Sequence, residues 1–424
     1  MARLGGAFAR RGPVRRAFRA WAVDPPLVGV ALIASLVGVA MIYSAGVVNI
    51  PHDTTRLAWI RQSLWLLLAL LTFTVVVRIP VRWFEWAAVP GFVLTVVLLG
   101  ATKVIGTGVG TASGVQSWID VGPLRFQPAE VAKLATVLAL ARLLASREEI
   151  PANLKDLVAP GAVVAVPLVL VLLQPDLGTA LAFVGILFAA LYWAGTPVGM
   201  LLLLASPGAA LVLSYDIAVW SGYIVLIVGA LYLYRFRVYL FESVAVVLAN
   251  VAAGTVARPL WNSLAEYQQN RLLVFLDPDV DPRGAGYHLI QSKVAIGHGG
   301  LTGTGFTLGT QKRFDFLPEQ HTDFIFSVVG EELGFLGVVV ALGLFAFILA
   351  RLVKLAEDCS DPFAGLVLFG IFGAWIVHIV VNVGMTVGVV PVTGIPLPFV
   401  SYGGSFLLMS WVAVAVAARV GRER

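Results

Sequence analysis

The chain is poor in charge and in cysteine. Of its 424 residues only 12% are charged, and Cys359 is its single cysteine, so a scaffold held by intramolecular disulfides is excluded. Its glycines are not followed by the Gly-Lys-Ser/Thr sequence of a phosphate-binding P-loop, and no Cys and His residues stand at zinc-finger spacing. The net charge of +5 is spread over short segments between apolar runs, which argues against nucleic acid as a partner.

Apolar residues dominate instead. They make up 59% of the chain, and the mean hydropathy is +0.91, outside the range of soluble domains. Hydrocarbon leaves backbone amides no outside partner, so apolar runs of about 20 residues predict membrane helices. We predict an all-α polytopic membrane protein of about twelve transmembrane helices, at 27–47, 59–78, 84–102, 129–145, 157–174, 177–194, 198–214, 217–234, 238–257, 324–350, 363–387 and 400–419.

The distribution of Arg and Lys predicts which loops face the cytoplasm. Residues 1–26 form a basic segment, and Arg and Lys recur in alternate loops through to the chain end, which places both termini on the cytoplasmic side. We expect one transmembrane domain, 27–419, with outer loops 103–128 and 259–323 and a cytoplasmic tail, 420–424. The spans between 198 and 257 are interrupted by polar residues, but losing a pair of them would leave the sidedness of the other loops unchanged.

The long loop 259–323 is polar and rich in glycine and proline, as functional loops often are. Its Asp277, Asp279 and Asp281 have the spacing of a calcium loop, but Pro282 and His288 stand where such a loop needs Gly and Glu. The glycines at 297–309 indicate sharp turns or close backbone approach, with a phosphate-binding nest as the alternative. Apolar residues interleaved at 289–296 predict an ordered segment lying on the membrane.

Asp323 stands where this loop meets the apolar run that begins at Phe324. Two interpretations remain open. The aspartate is a helix cap, or it is a general base whose pKa is raised by partial burial, with His321 to orient it.

Further polar residues lie inside predicted spans. Glu130 and Lys133 share one face of a helix, either as a structural ion pair or as functional groups, since charges within the membrane are costly. Asp176 is expected to cap a hairpin between two spans. His378 and Asn382 are four residues apart and are expected to form hydrogen bonds within the bundle.

Several sequence blocks occur together in one order along the chain. The blocks are Trp118-Ile119-Asp120, Phe126 to Lys133, Gln174 to Thr179, Gly286 to Gly297, Leu317 to Phe326, Gly330 to Gly334 and Pro396 to Ser405. These blocks, in this order, resemble the SEDS family (shape, elongation, division and sporulation) of bacterial peptidoglycan glycosyltransferases. The block around Lys293 and the Pro318 to Asp323 phrase are more similar to its elongation branch than to its division branch. Relative to the usual ten-helix pattern, the helices near 198–257 indicate an extra hairpin.

The resemblance implies an activity at the outer face of the bacterial cytoplasmic (inner) membrane. Lipid II would be both donor and acceptor, Asp323 the general base of an inverting glycosyl transfer, and undecaprenyl pyrophosphate the leaving group. Glu130 would position Lys133. Further substrate-binding residues would be Trp118, Gln127, Arg271, Lys293, Lys312, Arg313, Glu319 and His321.

No cofactor is certain from the resemblance, and a divalent cation, Mg²⁺ or Mn²⁺, stays open. The implied partners are a class B penicillin-binding protein transpeptidase, the elongation machinery and membrane lipids. Two alternatives stand beside the polymerase. A lipid II flippase or secondary transporter would concentrate polar groups at the bilayer midplane rather than in one outer loop, and a membrane scaffold would tolerate substitution of Asp323.

Overall fold

The computed structural model describes most of the chain. The described residues are 24–49, 53–108, 117–122, 124–147, 149–151, 153–233, 239–264, 266–277, 280–281, 284–314, 316 and 319–422. The basic segment up to residue 23, Asp279, Pro282, Pro318 and the last two residues of the predicted tail lie outside this part of the chain.

Helices account for nearly all of the regular structure. We number them α1 Pro25–Ala45, α2 Asp53–Arg56, α3 Ala58–Val76, α4 Val81–Ile105, α5 Pro128–Ala145, α6 Leu154–Leu172, α7 Leu177–Trp193, α8 Val198–Leu213, α9 Ile217–Leu233, α10 Leu240–Ser263, α11 Glu266–Leu276, α12 Ala285–Gly299, α13 Thr310–Arg313, α14 Ile325–Glu357, α15 Pro362–Val387 and α16 Gly404–Val420. Two short strands, β1 Ile119–Val121 and β2 Leu124–Phe126, pair antiparallel.

The predicted all-α membrane fold is confirmed, and each of the twelve predicted spans contains a helix. Among the described residues, seven helices are long and apolar enough to cross a bilayer, and α7, α8, α9 and α16 are shorter apolar helices. The charged α5 is not among either group. The count of twelve crossings stays a prediction.

Helix α15 is the most deeply buried of the long apolar helices. It packs closely on α7 because glycines face each other there. A Cβ atom added to Gly185 would lie 2.5 Å from the carbonyl oxygen of Gly373, so only glycine permits this backbone separation, as is common between membrane helices.

The predicted extra hairpin lies among α8, α9 and α10. These helices pack on one another around a small apolar cluster, against which Leu154 at the start of α6 also packs. Inside that cluster Asn250 donates hydrogen bonds to the Ser206 hydroxyl at 2.8 Å and to its own helix, while Tyr223 donates to the Ser206 carbonyl at 2.9 Å. These hydrogen bonds join α8, α9 and α10 to one another, and the Leu154 amide of α6 donates to Glu242 on α10 at 3.0 Å.

At one end of the bundle the starts of α5, α7, α14 and α16 meet the end of α15, and a cavity opens among them. At the opposite end Arg351, near the end of α14, forms an ion pair with Asp24, which also caps the start of α1. The segment 388–403, between α15 and α16, has no regular structure and lies beside the cavity.

Helix α14 is interrupted at Gly334, whose φ of 63° and ψ of −163° are not helical. The glycine-rich segment 300–305 lies against this break. Its backbone pairs with that of the helix in four bonds: Thr304 N to Glu331 O, Gly305 N to Glu332 O, Phe335 N to Gly300 O and Leu336 N to Leu301 O. The predicted close backbone approach of these glycines is therefore what the structure has.

Candidate active site

The cavity at this end has a volume of about 230 Å³. Asp323, Arg271, Trp118 and Gln127, all predicted to act on substrate, line it together. The rest of the lining comes from Ser117 and Thr322, which precede Trp118 and Asp323, from the starts of α7 and α16, and from the 388–403 segment. The residues of these last three parts are Pro175, Asp176, Thr179, Thr393, Gly394, Pro396, Tyr402, Gly403 and Phe406.

Trp118 and Gln127 reach the cavity from the two ends of the β1–β2 hairpin. Ile119 pairs with Phe126, so the residues just outside this pair lie side by side. The backbone of Trp118 also pairs with Thr107 after α4. The hairpin is therefore fixed to the bundle, and α5 begins directly after Gln127.

The backbone around Asp323 is held on several sides. Asn382 on α15 donates to the Asp323 carbonyl at 3.0 Å, and Ser401 donates to the Thr322 carbonyl at 2.7 Å. The amide of Tyr402 donates to the His321 carbonyl at 2.9 Å. These bonds leave the Asp323 side chain facing the cavity with its backbone fixed, and in the described structure it is not the cap of α14.

The Asp323 carboxyl group is partly buried, and its environment is unfavourable to negative charge. Burial, then the nearby charge of Glu319, raises the pKa of Asp323 to about 7. The positive charge of Arg271 opposes this rise, and Asp176 adds to it. A carboxyl group with a pKa close to neutrality exchanges protons readily at physiological pH, as a general base must.

Gly394 lines the cavity close to the Asp323 carboxylate. Its φ is +73°, and a Cβ atom added there would lie 3.3 Å from Asp323 Oδ2. Glycine at this position therefore leaves space at the carboxylate oxygen and permits a backbone conformation that other residues rarely adopt.

Asp176 caps α7, as predicted, and it also lines the cavity. Its carboxylate accepts from the Thr179 amide at 2.9 Å, from the Thr179 hydroxyl at 2.8 Å and from Gln127 at 3.1 Å. The sequence did not indicate that Asp176 lies in the same cavity as Asp323, because a cap in the short turn between two apolar runs is a sufficient reason for an aspartate there.

Glu130 and Lys133 form the expected ion pair on α5, with 2.9 Å between Lys133 Nζ and Glu130 Oε2. Both side chains are buried. They line a smaller cavity of about 40 Å³ with apolar residues of α5, α15 and α16. Phe406 belongs to the walls of both cavities, so the ion pair lies beside the Asp323 site but outside it.

Five other predicted residues lie outside the linings of these two cavities: Lys293, Lys312, Arg313, Glu319 and His321. Lys293 and Arg313 are exposed, and the end of the Lys293 side chain lies against Gly388 at the end of α15. Glu319 is exposed and accepts a hydrogen bond from the Thr322 hydroxyl. Half-buried His321 packs on Tyr402 with 5.5 Å between ring centroids, burial lowers its pKa, and no hydrogen bond between described residues joins it to Asp323.

The prediction that Lys312 binds substrate is not supported by its position. The side chain is completely buried. It forms an ion pair with Glu332 and donates to the Ser44 carbonyl at 2.7 Å, so it joins α13, α14 and α1. An ammonium group in this position stabilises the bundle, because it compensates the buried Glu332 carboxylate.

A divalent cation would find few protein ligands here. Within the described residues no group of three or more His, Cys, Asp and Glu side chains is placed to hold a metal ion. Asp323 and Asp176 are the carboxylates of the cavity lining. A Mg²⁺ or Mn²⁺ ion would need these two together with oxygen atoms of the substrate and water.

Comparison with known proteins gives matches over nearly the whole chain. The family model for FtsW, RodA and SpoVE, described as cell cycle protein, matches residues 26–244 and 216–424. The peptidoglycan glycosyltransferase MrdB of Escherichia coli (strain K12) is 34% identical over 95% of this chain and 94% of its own. The peptidoglycan glycosyltransferase RodA of Treponema pallidum (strain Nichols) is 33% identical over 93% of this chain and 96% of its own.

Solved structures show the same fold. A chain of a peptidoglycan synthase complex that coordinates polymerization and crosslinking superimposes with a TM-score of 0.69 at 32% identity, covering 95% of this chain and 99% of that one. The rod shape determining protein RodA of Thermus thermophilus gives a TM-score of 0.62 at 28% identity, covering 95% and 98%.

Proposed function

Because the chain belongs to the FtsW, RodA and SpoVE family and is a multi-pass membrane peptidoglycan glycosyltransferase most like RodA, we propose that it polymerises lipid II into glycan strands during cell elongation. The site would face the outer side of the cytoplasmic membrane, where the cation distribution of the loops puts residues 259–323. Lipid II would serve as both donor and acceptor.

In the proposed reaction Asp323 is the general base. The 4-hydroxyl oxygen of the acceptor sugar attacks the anomeric carbon of the donor, and its proton passes to Asp323. The bond from that carbon to the pyrophosphate oxygen breaks, and its electron pair leaves with undecaprenyl pyrophosphate. A single displacement of this kind inverts the anomeric carbon.

Arg271 is the cation that lines the same cavity as Asp323, so we assign it the direct contact with the pyrophosphate, whose charge grows as the bond breaks. Lys133 and Glu130 act from the smaller cavity behind Phe406. The apolar residues of that cavity, among them Val137, Ile371 and Ala413, suit a prenyl chain that enters from the bilayer. Asp176 and Gln127, bonded to each other, line the same cavity as Asp323 and suit sugar hydroxyl groups.

The observation that carries this proposal is the Asp323 carboxyl group in a cavity beside Arg271, with a pKa of about 7. A flippase has no need of a general base, and a scaffold has no need of the cavity. The likeness to a chain of a peptidoglycan synthase complex supports a further part of the proposal, namely that a class B penicillin-binding protein crosslinks the strands made here.

The test is polymerisation of purified lipid II by the purified protein, with and without Mg²⁺ or Mn²⁺ and a cognate transpeptidase. We expect Asp323→Asn to form no polymer and to keep the wild-type unfolding midpoint within a few degrees. We expect Lys133→Ala to be strongly impaired and Glu130→Ala similarly. Polymer formation by Asp323→Asn would remove Asp323 as the base.

A parallel assay of lipid II movement across vesicles addresses the flippase. Transbilayer movement by wild-type protein, with no polymer formed on either side, would contradict the polymerase. Polymer formation without accelerated movement would support it.

A further inference from the structure

His378 on α15 contacts Lys133 in the interior of the bundle. The distance from Lys133 Nζ to His378 Nε2 is 2.8 Å, and the other ring nitrogen, Nδ1, lies 2.9 Å from the carbonyl oxygen of Pro396. The imidazole is 1% exposed and stacks on Phe406, with ring centroids 4.9 Å apart. It therefore touches the ion pair, the wall shared by both cavities and the segment beside Asp323.

These contacts fix the protonation state of the ring. The Pro396 carbonyl only accepts hydrogen bonds, so Nδ1 must carry the proton. The Lys133 ammonium only donates, so Nε2 must be the bare acceptor. His378 is consequently a neutral imidazole with hydrogen on Nδ1, and a proton added at Nε2 would face the ammonium group.

The same contacts fix the Lys133 ammonium group. It lies 3.0 Å and 2.9 Å from the two Glu130 oxygens and 2.8 Å from His378, so one N–H group is directed at the Glu130 carboxylate and another at Nε2 of His378. Lys133 acts on the leaving group as one end of a rigidly oriented ion pair, and in a buried site the orientation of such charges determines their effect.

One turn further along α15, Asn382 donates to the Ile395 carbonyl at 2.7 Å and to the Asp323 carbonyl at 3.0 Å. His378 and Asn382 thus hold the successive carbonyl groups of Ile395 and Pro396. A continuous series of hydrogen bonds runs from Glu130 through Lys133 and His378 to this segment, and through Asn382 to the backbone of Asp323.

We propose that His378 is a positioning residue for glycosyl transfer, which fixes the Lys133–Glu130 pair relative to Asp323. The proposal rests on the function proposed above, because it concerns how this pair acts on the departing pyrophosphate. It predicts that His378 affects the chemical step more than substrate binding, since its nitrogens are both used within the protein.

Two substitutions separate its two hydrogen bonds. In His378→Gln the side-chain oxygen can take the place of Nε2 and still accept from Lys133, while the bond to Pro396 is lost. In His378→Asn the amide nitrogen can take the place of Nδ1 and still donate to Pro396, while the bond to Lys133 is lost. Each variant therefore serves as the control for the other.

We expect His378→Asn to lower kcat about tenfold or more with KM nearly unchanged, because the ion pair loses its orientation, and His378→Gln to stay within about threefold of wild type. The opposite order would overturn the proposal by showing that the Pro396 contact is what matters. Equal loss in both, in step with a lowered unfolding midpoint, would overturn it by showing a purely structural role.

A spectroscopic measurement tests the contact without any enzymatic assay. In protein labelled with ¹⁵N at its five histidines, the His378 signals are assigned by their loss in His378→Gln. We expect a protonated Nδ1 and an unprotonated Nε2 whose resonance moves in Lys133→Met, while the signals of exposed His298 stay fixed. A ring protonated on Nε2, or an Nε2 resonance unaffected by Lys133→Met, would refute the contact.

The two measurements also separate this proposal from the function it rests on. If the wild-type protein forms no polymer, the proposed function fails while the ¹⁵N spectra still decide the Lys133 contact. If Asp323→Asn retains polymerisation, the base assignment fails while the difference between His378→Asn and His378→Gln remains measurable.

Discussion

The raised pKa of Asp323 predicts how polymerisation depends on pH. The proposed base works only when deprotonated, and its pKa is about 7. Below that value the deprotonated fraction falls tenfold per pH unit, so the rate at pH 6 should be about one tenth of the plateau reached at about pH 8. An ordinary aspartate, with a pKa of 3.8, would give a rate that is flat across this range.

Glu319→Gln tests the cause of that dependence. The charge of Glu319 is the second largest contribution raising the pKa of Asp323, after burial. Removing the charge lowers the pKa, so the acid limb of the profile should move to lower pH. Glutamine still offers an oxygen to the Thr322 hydroxyl, which bonds Glu319 in the wild type, so the local backbone should be kept.

The assay is the initial rate of lipid II polymerisation from pH 5 to pH 9 at constant ionic strength and saturating substrate. Glu149→Gln is the matched control. Glu149 is exposed and lies between α5 and α6, at the end of the bundle opposite to Asp323. Loss of its charge should therefore leave the pH profile unchanged. The phosphate groups of lipid II titrate equally in all three proteins. A wild-type profile that is flat from pH 5 to pH 8 would refute the reasoning, as would a limb that Glu319→Gln leaves in place or moves to higher pH.

Two further substitutions test the packing around the site. Lys312→Met should lower the free energy of unfolding by about 3 to 5 kcal/mol, because it leaves the buried Glu332 carboxylate without its counter-charge. Adding Glu332→Gln should restore much of the loss in a detergent unfolding assay, and a single variant as stable as wild type would contradict the buried pair. Gly394→Ala should reduce polymerisation about tenfold or more by crowding Asp323. The control is Gly388→Ala, at a similar φ of +78° but against Lys293, which should lower only stability. Equal activity of the two variants would contradict the crowding.

Much of the fold follows from the sequence because hydrocarbon offers the backbone no hydrogen-bond partners. An apolar run long enough to cross the membrane must be a helix, so all twelve predicted segments contain one. The location of Asp323 follows from the same rule, since the helix that begins at Ile325 starts where the apolar run starts. Its pKa is raised by burial and then by the charges of Glu319 and Asp176, against the opposing charge of Arg271, and Asp176 and Arg271 are distant from it in sequence.

What the sequence does not reveal are contacts between distant segments. Lys312 stands in a polar loop, where a lysine is normally solvated, yet it meets Ser44, which is 268 residues away. The segment 388–403 has no periodic pattern, and its role as a cavity wall comes from Asn382 and His378 holding the carbonyl groups of residues 395 and 396. Neither contact leaves a local signal such as spacing or repeated apolar positions.

The break at Gly334 constrains how this protein can move. The segment 300–305 forms four backbone hydrogen bonds with α14 around the break, and withdrawing it would break all four together, at about 0.5–1.5 kcal/mol for each one. Rearrangement during successive sugar additions must therefore carry this segment and the first turns of α14 as one rigid piece. Any opening that admits a growing strand has to occur along the other walls, where α5, α7 and residues 388–403 meet.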